Sequence, residues 1–295
     1  MEKLTKASVC HVFSRDTEPA LRVRPGEAFC LETEDAYSGT IASAEDAPSR
    51  VIRTNPATGP VFIEDADRGG VLRIDIERIQ VRDYAVMAVP ATRLFRIGRE
   101  GLHLSEHVQL PLRPMIGVIG VAPAHQPEPT TSAGEHGGNL SCPEVGAGCS
   151  VFLPVACEGA LLAAGAVQAA MADGKTAGCG AEVSAEVTLR ARLVRHPLPT
   201  PSVETPDALV FLGSASTLDD ACVLVIEKAT AFLTEQLGQE EDDATVLLGL
   251  AGRLGVCRAV GAHKTMRLAL PKAVLAPLGL QDVPALQRRP SSPAP

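Results

Sequence analysis

The chain has 295 residues, a hydrophobic fraction of 45% and a formal net charge of −8, values typical of a globular protein with a large core. It contains 2 Tyr, 7 Phe and no Trp, so the aromatic surfaces on which single-stranded nucleic acids stack are scarce. Because 35 acidic residues outnumber 27 basic ones and no basic stripe is visible, the composition argues against nucleic acid or an anionic membrane as a partner.

The N-terminus and the cysteines predict the compartment. Residues 1–16 lack the apolar core of a signal peptide, and the longest apolar stretch, around residues 159–172, is interrupted by Gln168 and too short to span a bilayer. We therefore expect a cytoplasmic protein. None of the eight cysteines forms a C-x-x-C pair, so we expect reduced thiols packed mainly in the core.

Patterns of apolar residues predict strands in most of the first half. The segment 20–33 is predicted to form two strands around a Pro-Gly turn, and residues 71–81 and 186–194 alternate with the period of a half-buried strand. Residues 115–121 are uniformly small or apolar, which predicts a strand buried on both faces. The Ala-rich segment 160–172, in contrast, is predicted to be a helix by propensity alone.

The composition changes at residues 196–206, a Pro-rich segment that predicts a linker. We therefore expect a β-rich domain at residues 1–195 that carries the site, an α+β part at residues 207–287 and a disordered tail at residues 288–295.

Within the α+β part, helical spacing of apolar residues predicts helices at residues 219–237 and 243–254. Two short strands are predicted to follow them, at residues 256–260 and 265–270.

Polar residues in small-residue surroundings are the candidates for function. His136 lies in a Gly-rich part of the long loop 122–149, where an imidazole could bind a metal or transfer a proton. Asp173 and Glu182 could be metal ligands or a general base. Each also has an ordinary explanation, namely a solvent-facing loop histidine, an Asp-Gly turn and a solvated strand glutamate.

Common catalytic signatures are absent from the sequence. There is no G-x-S-x-G motif, no Walker A loop and no H-E-x-x-H motif. Cys142 and Cys179 could be nucleophiles, but no spacing pairs either thiol with a histidine.

Several segments, in this order and spacing, resemble the acetamidase/formamidase family of metal-dependent amidases. They extend from about His11 to Leu275 and include HVFSRDTEPALRVRPGEAFCLETEDAYSG, TNPATGPVFIEDA, RPMIGVIGVAP, GEHGGNL, LPVACEGALLAAG and GAEVSAEVTL. The resemblance implies a mainly β fold, with sandwich-like domains and a smaller α+β C-terminal part. It also implies strand and loop at residues 163–174, and we prefer this to the helix because tertiary context overrides propensity.

The resemblance further implies a homo-oligomer that hydrolyses small linear amides with water activated by a divalent metal, typically zinc. In this chain we expect a rebuilt form of that site, with the catalytic residues Asp173, Glu182, Lys175 and Gln168, the substrate-binding residues Asn139, Gly137, Gly138 and Asp35, and the metal ligands His136 and Asp173.

The chain departs from the family pattern G-D-x-H-A-A-x-G-D-G-E. Ala166, Gln168 and Lys175 stand where the pattern has Asp, His and Glu, and Ser141 replaces the Asp that ends H-G-G-N-x-D. A Gln amide is a poor zinc ligand beside imidazole, and Lys175 adds positive charge. These replacements weigh against the usual metal centre.

Two alternatives to a metal-dependent amidase therefore stay open. One is a repurposed paralogue that performs metal-free acid–base chemistry on a specialised metabolite, with Lys175 and either Asp173 or Glu182 as the acid and base. The other is a paralogue that binds a ligand without catalysis.

Overall fold

The computed structural model describes residues 1–46, 55–194 and 198–280, and β-strands dominate it, which confirms the mainly β fold. The described strands are β1 (Glu2–Leu4), β2 (Val9–Cys10), β3 (Val12–Phe13), β4 (Leu21–Val23), β5 (Ala28–Thr33), β6 (Ala57–Ile63), β7 (Val71–Val81), β8 (Tyr84–Met87), β9 (Arg93–Gly98), β10 (Gly101–His103), β11 (Gln109–Leu110), β12 (Met115–Gly120), β13 (Glu128–Pro129), β14 (Ala133–Gly134), β15 (Gly137–Gly138), β16 (Ser150–Pro154), β17 (Leu162–Gln168), β18 (Ala185–Val194), β19 (Ser202–Glu204), β20 (Ala208–Ala215), β21 (Arg253–Arg258) and β22 (Lys264–Pro271). The helices are α1 (Leu218–Ala231), α2 (Glu241–Ala251) and α3 (Lys272–Leu275), with 3-10 turns at Asp173–Lys175 and Ala276–Leu278 and a π-helical turn at Phe232–Gln236.

Two sheets pack face to face around the main core. The larger sheet has the strand order β1-β5-β18-β7-β16-β19-β20-β22-β21, and the smaller has the order β14-β15-β12-β17-β6-β2, with β4 paired to β6. Leu72, Ile74 and Ile76 alternate along β7 and are buried in one cluster with Ile116 and Ile119 of β12. The strands predicted from the alternation in β7 and the uniform apolarity of β12 are confirmed, as is the sandwich that the resemblance implies.

A second core lies between α1 and the C-terminal strands of the larger sheet. Phe211 of β20 packs on Phe232 with the ring centroids 5.3 Å apart. The helix α1 begins after Thr217, whose hydroxyl accepts a hydrogen bond from the Asp220 N–H. The two predicted helices and the two short strands after them are confirmed. Among the described residues, no helix combines the length and apolar character needed to cross a bilayer.

The larger sheet continues through the segment predicted as a linker. Within residues 196–206, β19 pairs with β16 on one side and with β20 on the other. Strands of both predicted parts therefore share one sheet, and the division into domains stays a prediction. Residues 195–197 and 281–295, which include the predicted tail, lie outside the described residues.

The Ala-rich segment is the strand β17, as the resemblance implies, and the helix predicted by propensity is wrong. This strand pairs with β12 on one side and β6 on the other, and all of its residues are buried. Close packing explains its small side chains, since a Cβ added to Gly165 would approach the carbonyl oxygen of Pro56 to 2.2 Å. Burial in the sandwich therefore overrides the helix propensity of alanine.

A four-stranded sheet of order β11-β10-β9-β8 is an element that the sequence patterns did not predict. It is joined to the sandwich near the end of β17, where Val86 of β8 forms an isolated bridge with Glu182. This position makes the four-stranded sheet one wall of the candidate site.

Candidate functional site

A buried cluster of polar side chains lies where β17 ends. Gln168, the last residue of β17, forms an isolated bridge with Glu182, and its Nε2 donates a hydrogen bond of 2.9 Å to Glu182 Oε1. The Gly180 N–H donates to the same oxygen at 3.2 Å. Gln168 is 0% exposed and Glu182 is 1% exposed. The carboxylate is therefore held in one position away from bulk water.

Lys175 brings a positive charge to this carboxylate. Its Nζ lies 3.5 Å from Glu182 Oε1, and its side chain is 5% exposed. The same ammonium donates to Ser141 Oγ at 3.3 Å, and Ser141 donates to Asn139 Oδ1 at 2.8 Å. Lys175 has a φ of 46°, a left-handed conformation that is uncommon for residues other than glycine. Such strain is typical of functional sites, where surrounding contacts maintain it.

Burial and the lysine have opposite effects on the pKa of Glu182. Burial raises this pKa most strongly, while the Lys175 ammonium and the Gly180 N–H lower it and the charge of Asp35 raises it. The net effect is a raised pKa. A buried carboxyl group with a raised pKa beside an ammonium is a candidate for proton transfer.

Two oxygen atoms of the cluster have no hydrogen-bond partner among the described residues. They are Gln168 Oε1 and Glu182 Oε2. An unpaired buried acceptor is costly unless a water or ligand satisfies it. Together with the Lys175 ammonium, the cluster offers two acceptors and one donor. A primary amide has the complementary groups, two N–H donors and one carbonyl acceptor.

A largely apolar cleft of about 410 Å³ reaches the cluster. One wall is the four-stranded sheet, the other is the segment 170–181, and Arg113 and Lys175 are its charged residues. Because Lys175 lines the cleft and also contacts Glu182, it connects the cleft to the buried carboxylate. The apolar wall residues from the four-stranded sheet and its connections are Met87, Phe95, Leu102, Leu104 and Leu110.

Asp35 acts one step away from the cluster. Its carboxylate accepts hydrogen bonds from the N–H groups of Tyr37 (2.7 Å) and Gly39 (3.2 Å) and so fixes this loop. The Tyr37 hydroxyl accepts from the Ala88 N–H at 3.3 Å and lies near the thiol of Cys179, a cleft residue. Asp35 therefore positions Tyr37. The sequence analysis identified Asp35 as a candidate site residue but not Tyr37. The only indication for Tyr37 was its position in the DAYSG part of a segment that resembles the family.

His136 lies at a different cleft, which it lines with Glu128 and His263. Its ring packs against Phe13 with the centroids 5.3 Å apart. Burial lowers the pKa of His136 to about 4, so the imidazole is neutral near pH 7. No described contact joins His136 to the Lys175 cluster.

The two glycines predicted to bind substrate have a packing function in the structure. Gly137 and Gly138 form β15 with φ values of 87° and 83°. An added Cβ would lie 2.4 Å from the carbonyl oxygen of Ile119 in the first case and 2.3 Å from that of Ser132 in the second. Only glycine allows these strands to approach so closely.

Asp173 points to the surface and forms a two-fold ion pair with Arg267, at 2.9 and 2.8 Å. Its side chain is 60% exposed. Asp173 is held by Arg267, whereas His136 packs on Phe13 and its buried Nε2 has no hydrogen-bond partner among the described residues, and no described contact joins the two side chains. Among the described residues, no group of three His, Cys, Asp or Glu side chains converges at Glu182 or at His136.

The zinc ion implied by the resemblance does not fit the Lys175 cluster. A cation bound to Glu182 would lie beside an ammonium, and two unit charges at about 4 Å repel by about 4 kcal/mol at an effective dielectric constant of 20, or about twice that for a divalent ion. Gln168 already donates to Glu182 through Nε2, and Ala166 offers no ligand atom. The donor set lacks the imidazole and carboxylates that zinc prefers, so we assign no step at this cluster to a metal.

Comparisons with known proteins agree with the fold. The sequence profile of the Acetamidase/Formamidase family matches residues 124–216. An acetamidase from Bacillus halodurans is 34% identical, with 94% of this chain and 99% of that chain covered and a TM-score of 0.92. A predicted acetamidase/formamidase from Thermoanaerobacter tengcongensis is 31% identical, with 95% and 99% covered and a TM-score of 0.93. An acetamidase from Yersinia enterocolitica is 26% identical, with 93% and 92% covered and a TM-score of 0.89. A search of curated protein sequences finds no match.

Proposed function

Because the chain belongs to the acetamidase/formamidase family, we propose that it hydrolyses the C–N bond of a linear primary amide at the Lys175 cluster without a zinc ion. Family membership supports amide hydrolysis as the reaction. The observation that carries the metal-free site is the match between its unpartnered groups and an amide. Gln168 Oε1 and Glu182 Oε2 are buried acceptors without partners among the described residues, and Lys175 supplies the donor.

In this proposal the amide nitrogen donates to Gln168 Oε1 and Glu182 Oε2, while the amide carbonyl accepts from Lys175 Nζ. The rest of the substrate lies in the cleft, whose walls are mainly apolar. Arg113 lines the same cleft, so a substrate that carries an anionic group at its far end would find a partner there.

Glu182 is the general base in this scheme. It takes a proton from a water molecule as the water oxygen bonds to the carbonyl carbon, and the carbonyl electron pair moves onto oxygen, where Lys175 stabilises the negative charge. When the tetrahedral intermediate collapses, the C–N bond breaks and Glu182 returns the proton to the leaving nitrogen. The products are a carboxylic acid and ammonia, which ionise in water. The raised pKa of Glu182 suits both proton transfers.

A binding protein without turnover is the second candidate. It is favoured by the burial of Gln168 and Glu182, which are 0% and 1% exposed. Substrate can reach these groups only if Lys175 or the segment around Gly180 moves. A chain that binds an amide in the cleft without this movement would not bring the amide to Glu182 and would have no hydrolytic activity.

The test is ammonia release from formamide, acetamide and larger primary amides, measured on the full chain before and after treatment with a chelator. We expect turnover to survive chelation and to fall by about 10² or more in Glu182→Gln and Lys175→Met, the range typical of a lost acid–base group. Lys3→Met is the matched control, since Lys3 forms a surface ion pair with Glu186, with side chains 43% and 34% exposed. It should keep full activity.

Two outcomes would overturn the proposal. Amide binding by calorimetry without ammonia release would favour the binding protein. Turnover that disappears on chelation and returns with added zinc, in a chain that also carries Cys257→Ser, would show that the cluster uses a metal after all. The Cys257 substitution removes one thiol of a separate group of possible metal ligands, Cys142, Glu144 and Cys257.

A further inference from the structure

A second polar cluster lies next to the turn that carries Lys175, and it has no role in the proposed amide hydrolysis. One ligand atom each from Cys142, Glu144 and Cys257 lies within 4.8 Å of the other two. Both cysteines are 0% exposed, and the Cys142 thiol donates to Glu144 Oε2 at 3.0 Å. Buried thiols paired with a carboxylate are unusual for simple core packing.

Local structure brings these side chains together. The N–H of Val145 donates to the carbonyl oxygen of Cys142 at 3.0 Å, which closes a tight turn with Cys142 and Glu144 side by side. Cys257 comes from β21, at the position where the register with β22 shifts between Val256 and Arg258. A bulge of this kind changes the direction of a strand side chain, and here Cys257 reaches the turn.

Arg267 fixes the carboxylate of this cluster. Its Nε lies 2.8 Å from Glu144 Oε1, so the other oxygen, Oε2, remains directed towards Cys142. Space for the guanidinium depends on Gly255, because a Cβ at that position would lie 2.8 Å from Arg267 Cζ. An outer hydrogen-bonding partner that orients a ligand is a regular feature of metal sites.

We propose that Cys142, Glu144 and Cys257 form a binding site for a thiophilic divalent cation, and that zinc is the cation that fits it best. Tetrahedral zinc with Zn–S bonds of about 2.3 Å places two sulfur atoms about 3.8 Å apart. The present separations of up to 4.8 Å require a contraction of about 1 Å, within the reach of side-chain rotation. Two cysteines and a carboxylate leave the fourth position for water.

The charge balance favours this ion. Both thiols are 0% exposed, so a thiolate without a cation beside it is disfavoured there. Zinc binding replaces the two thiol protons by one divalent cation, which leaves the net charge of the cluster unchanged. The remaining anionic ligand, Glu144, is already balanced by Arg267. The cation therefore enters without adding an uncompensated buried charge.

The site would stabilise the turn that carries the proposed catalytic lysine. Arg267 also holds Asp173, the first residue of that turn, and the Ala259 N–H, two residues beyond Cys257, donates to the Gly174 carbonyl oxygen at 2.9 Å. The role of the metal is then structural, and the proposal does not depend on amide hydrolysis.

The test is a zinc titration of the full, reduced chain against a chromophoric chelator, with proton release measured in parallel. We expect one zinc per chain and release of about two protons near neutral pH. Cobalt in place of zinc should give a thiolate-to-cobalt charge-transfer band. Cys257→Ser, which removes a ligand atom, should weaken binding by at least the roughly 10–100-fold that loss of an outer-shell partner causes, and should reduce this band. Cys30→Ser, a matched control at another buried thiol, should change neither.

Several results would overturn the site. Equal zinc affinity in Cys257→Ser and the unchanged chain would place the metal elsewhere, and no stoichiometric zinc in the reduced unchanged chain would exclude it. A disulfide between Cys142 and Cys257 that resists mild reductant would mean that the pair is a crosslink. If Cys257→Ser does not fold, the cobalt spectrum of the unchanged chain tests the proposal instead. A spectrum without thiolate-to-cobalt transitions would contradict the site.

Discussion

Removing the charge of Lys175 should make the stability of the chain strongly dependent on pH. Lys175→Met keeps much of the side-chain volume but removes the ammonium that lies 3.5 Å from Glu182 Oε1. Glu182 is 1% exposed, so its charge would remain buried without a counter-charge. Loss of one partner from a buried ion pair typically costs about 3–5 kcal/mol, and we expect a loss of this size at about pH 8.

The pH dependence follows from the proton balance of Glu182. Burial raises its pKa and Lys175 lowers it, so the variant has a still higher folded-state pKa. Below the unfolded-state pKa of about 4.3, the group is protonated in both states and contributes no penalty. As pH rises towards the folded-state pKa, the unfolded state ionises first, and the free energy of unfolding falls by about 1.4 kcal/mol for each unit between the two pKa values.

The assay is urea denaturation of Lys175→Met, Glu182→Gln and the double variant at about pH 5 and about pH 8. The double variant has no buried charge and should be more stable than Lys175→Met at the higher pH. Two results would refute this reasoning: a loss in Lys175→Met that is equal at both pH values, or a double variant no more stable than the single one.

Three further predictions concern other residues of the two clefts. Gly180→Ala should lower the free energy of unfolding by about 1–3 kcal/mol, because its Cβ would lie 2.8 Å from Gln168 Oε1. In the control Gly249→Ala the added Cβ meets no atom within 4 Å, so this variant should be neutral or stabilising. Equal denaturation midpoints for the two variants would contradict the prediction. The pKa of His136 is lowered to about 4, so the unfolding free energy should rise by about 3 kcal/mol between about pH 4 and pH 6.5. His136→Phe should flatten that rise, and an NMR titration of His136 with an ordinary midpoint would disprove it. Arg113→Met should raise KM about fivefold for amides that carry a carboxylate and leave neutral amides unchanged, while equal effects on both would remove Arg113 from substrate recognition.

The periodicity of the sequence was sufficient for elements whose two faces differ. In β7, Leu72, Ile74 and Ile76 face the core and Arg73 and Asp75 do not, so alternation alone gives the strand. Periodicity was insufficient for β17, because this strand is buried on both faces and its polar and apolar residues therefore do not alternate. Composition then favoured a helix, and only the resemblance to a family gave the strand.

The contacts among the candidate site residues could be predicted only in part, for a related reason. The spacing of a motif placed Gln168, Lys175 and Glu182 in one region, and the structure brings them into contact. Sequence could not show that His136 lines another cleft or that Asp173 faces outward to an arginine. These placements depend on how distant strands pair, and no local pattern encodes that pairing.

The backbone of the cluster retains a feature that its present side chains do not explain. Ala166 has a φ of 46°, a left-handed conformation in which Asp is far more common than Ala. The motif that the sequence resembles has Asp at this position, and the left-handed conformation of the backbone would suit that side chain. We therefore expect that a metal site can be built at this cluster by side-chain substitutions alone. A Cys257→Ser chain that also carries Ala166→Asp, Gln168→His and Lys175→Glu should bind zinc more tightly than Cys257→Ser alone. If both chains bind zinc equally weakly, the backbone has moved away from the geometry of a metal site, and the left-handed conformation at Ala166 is only local strain.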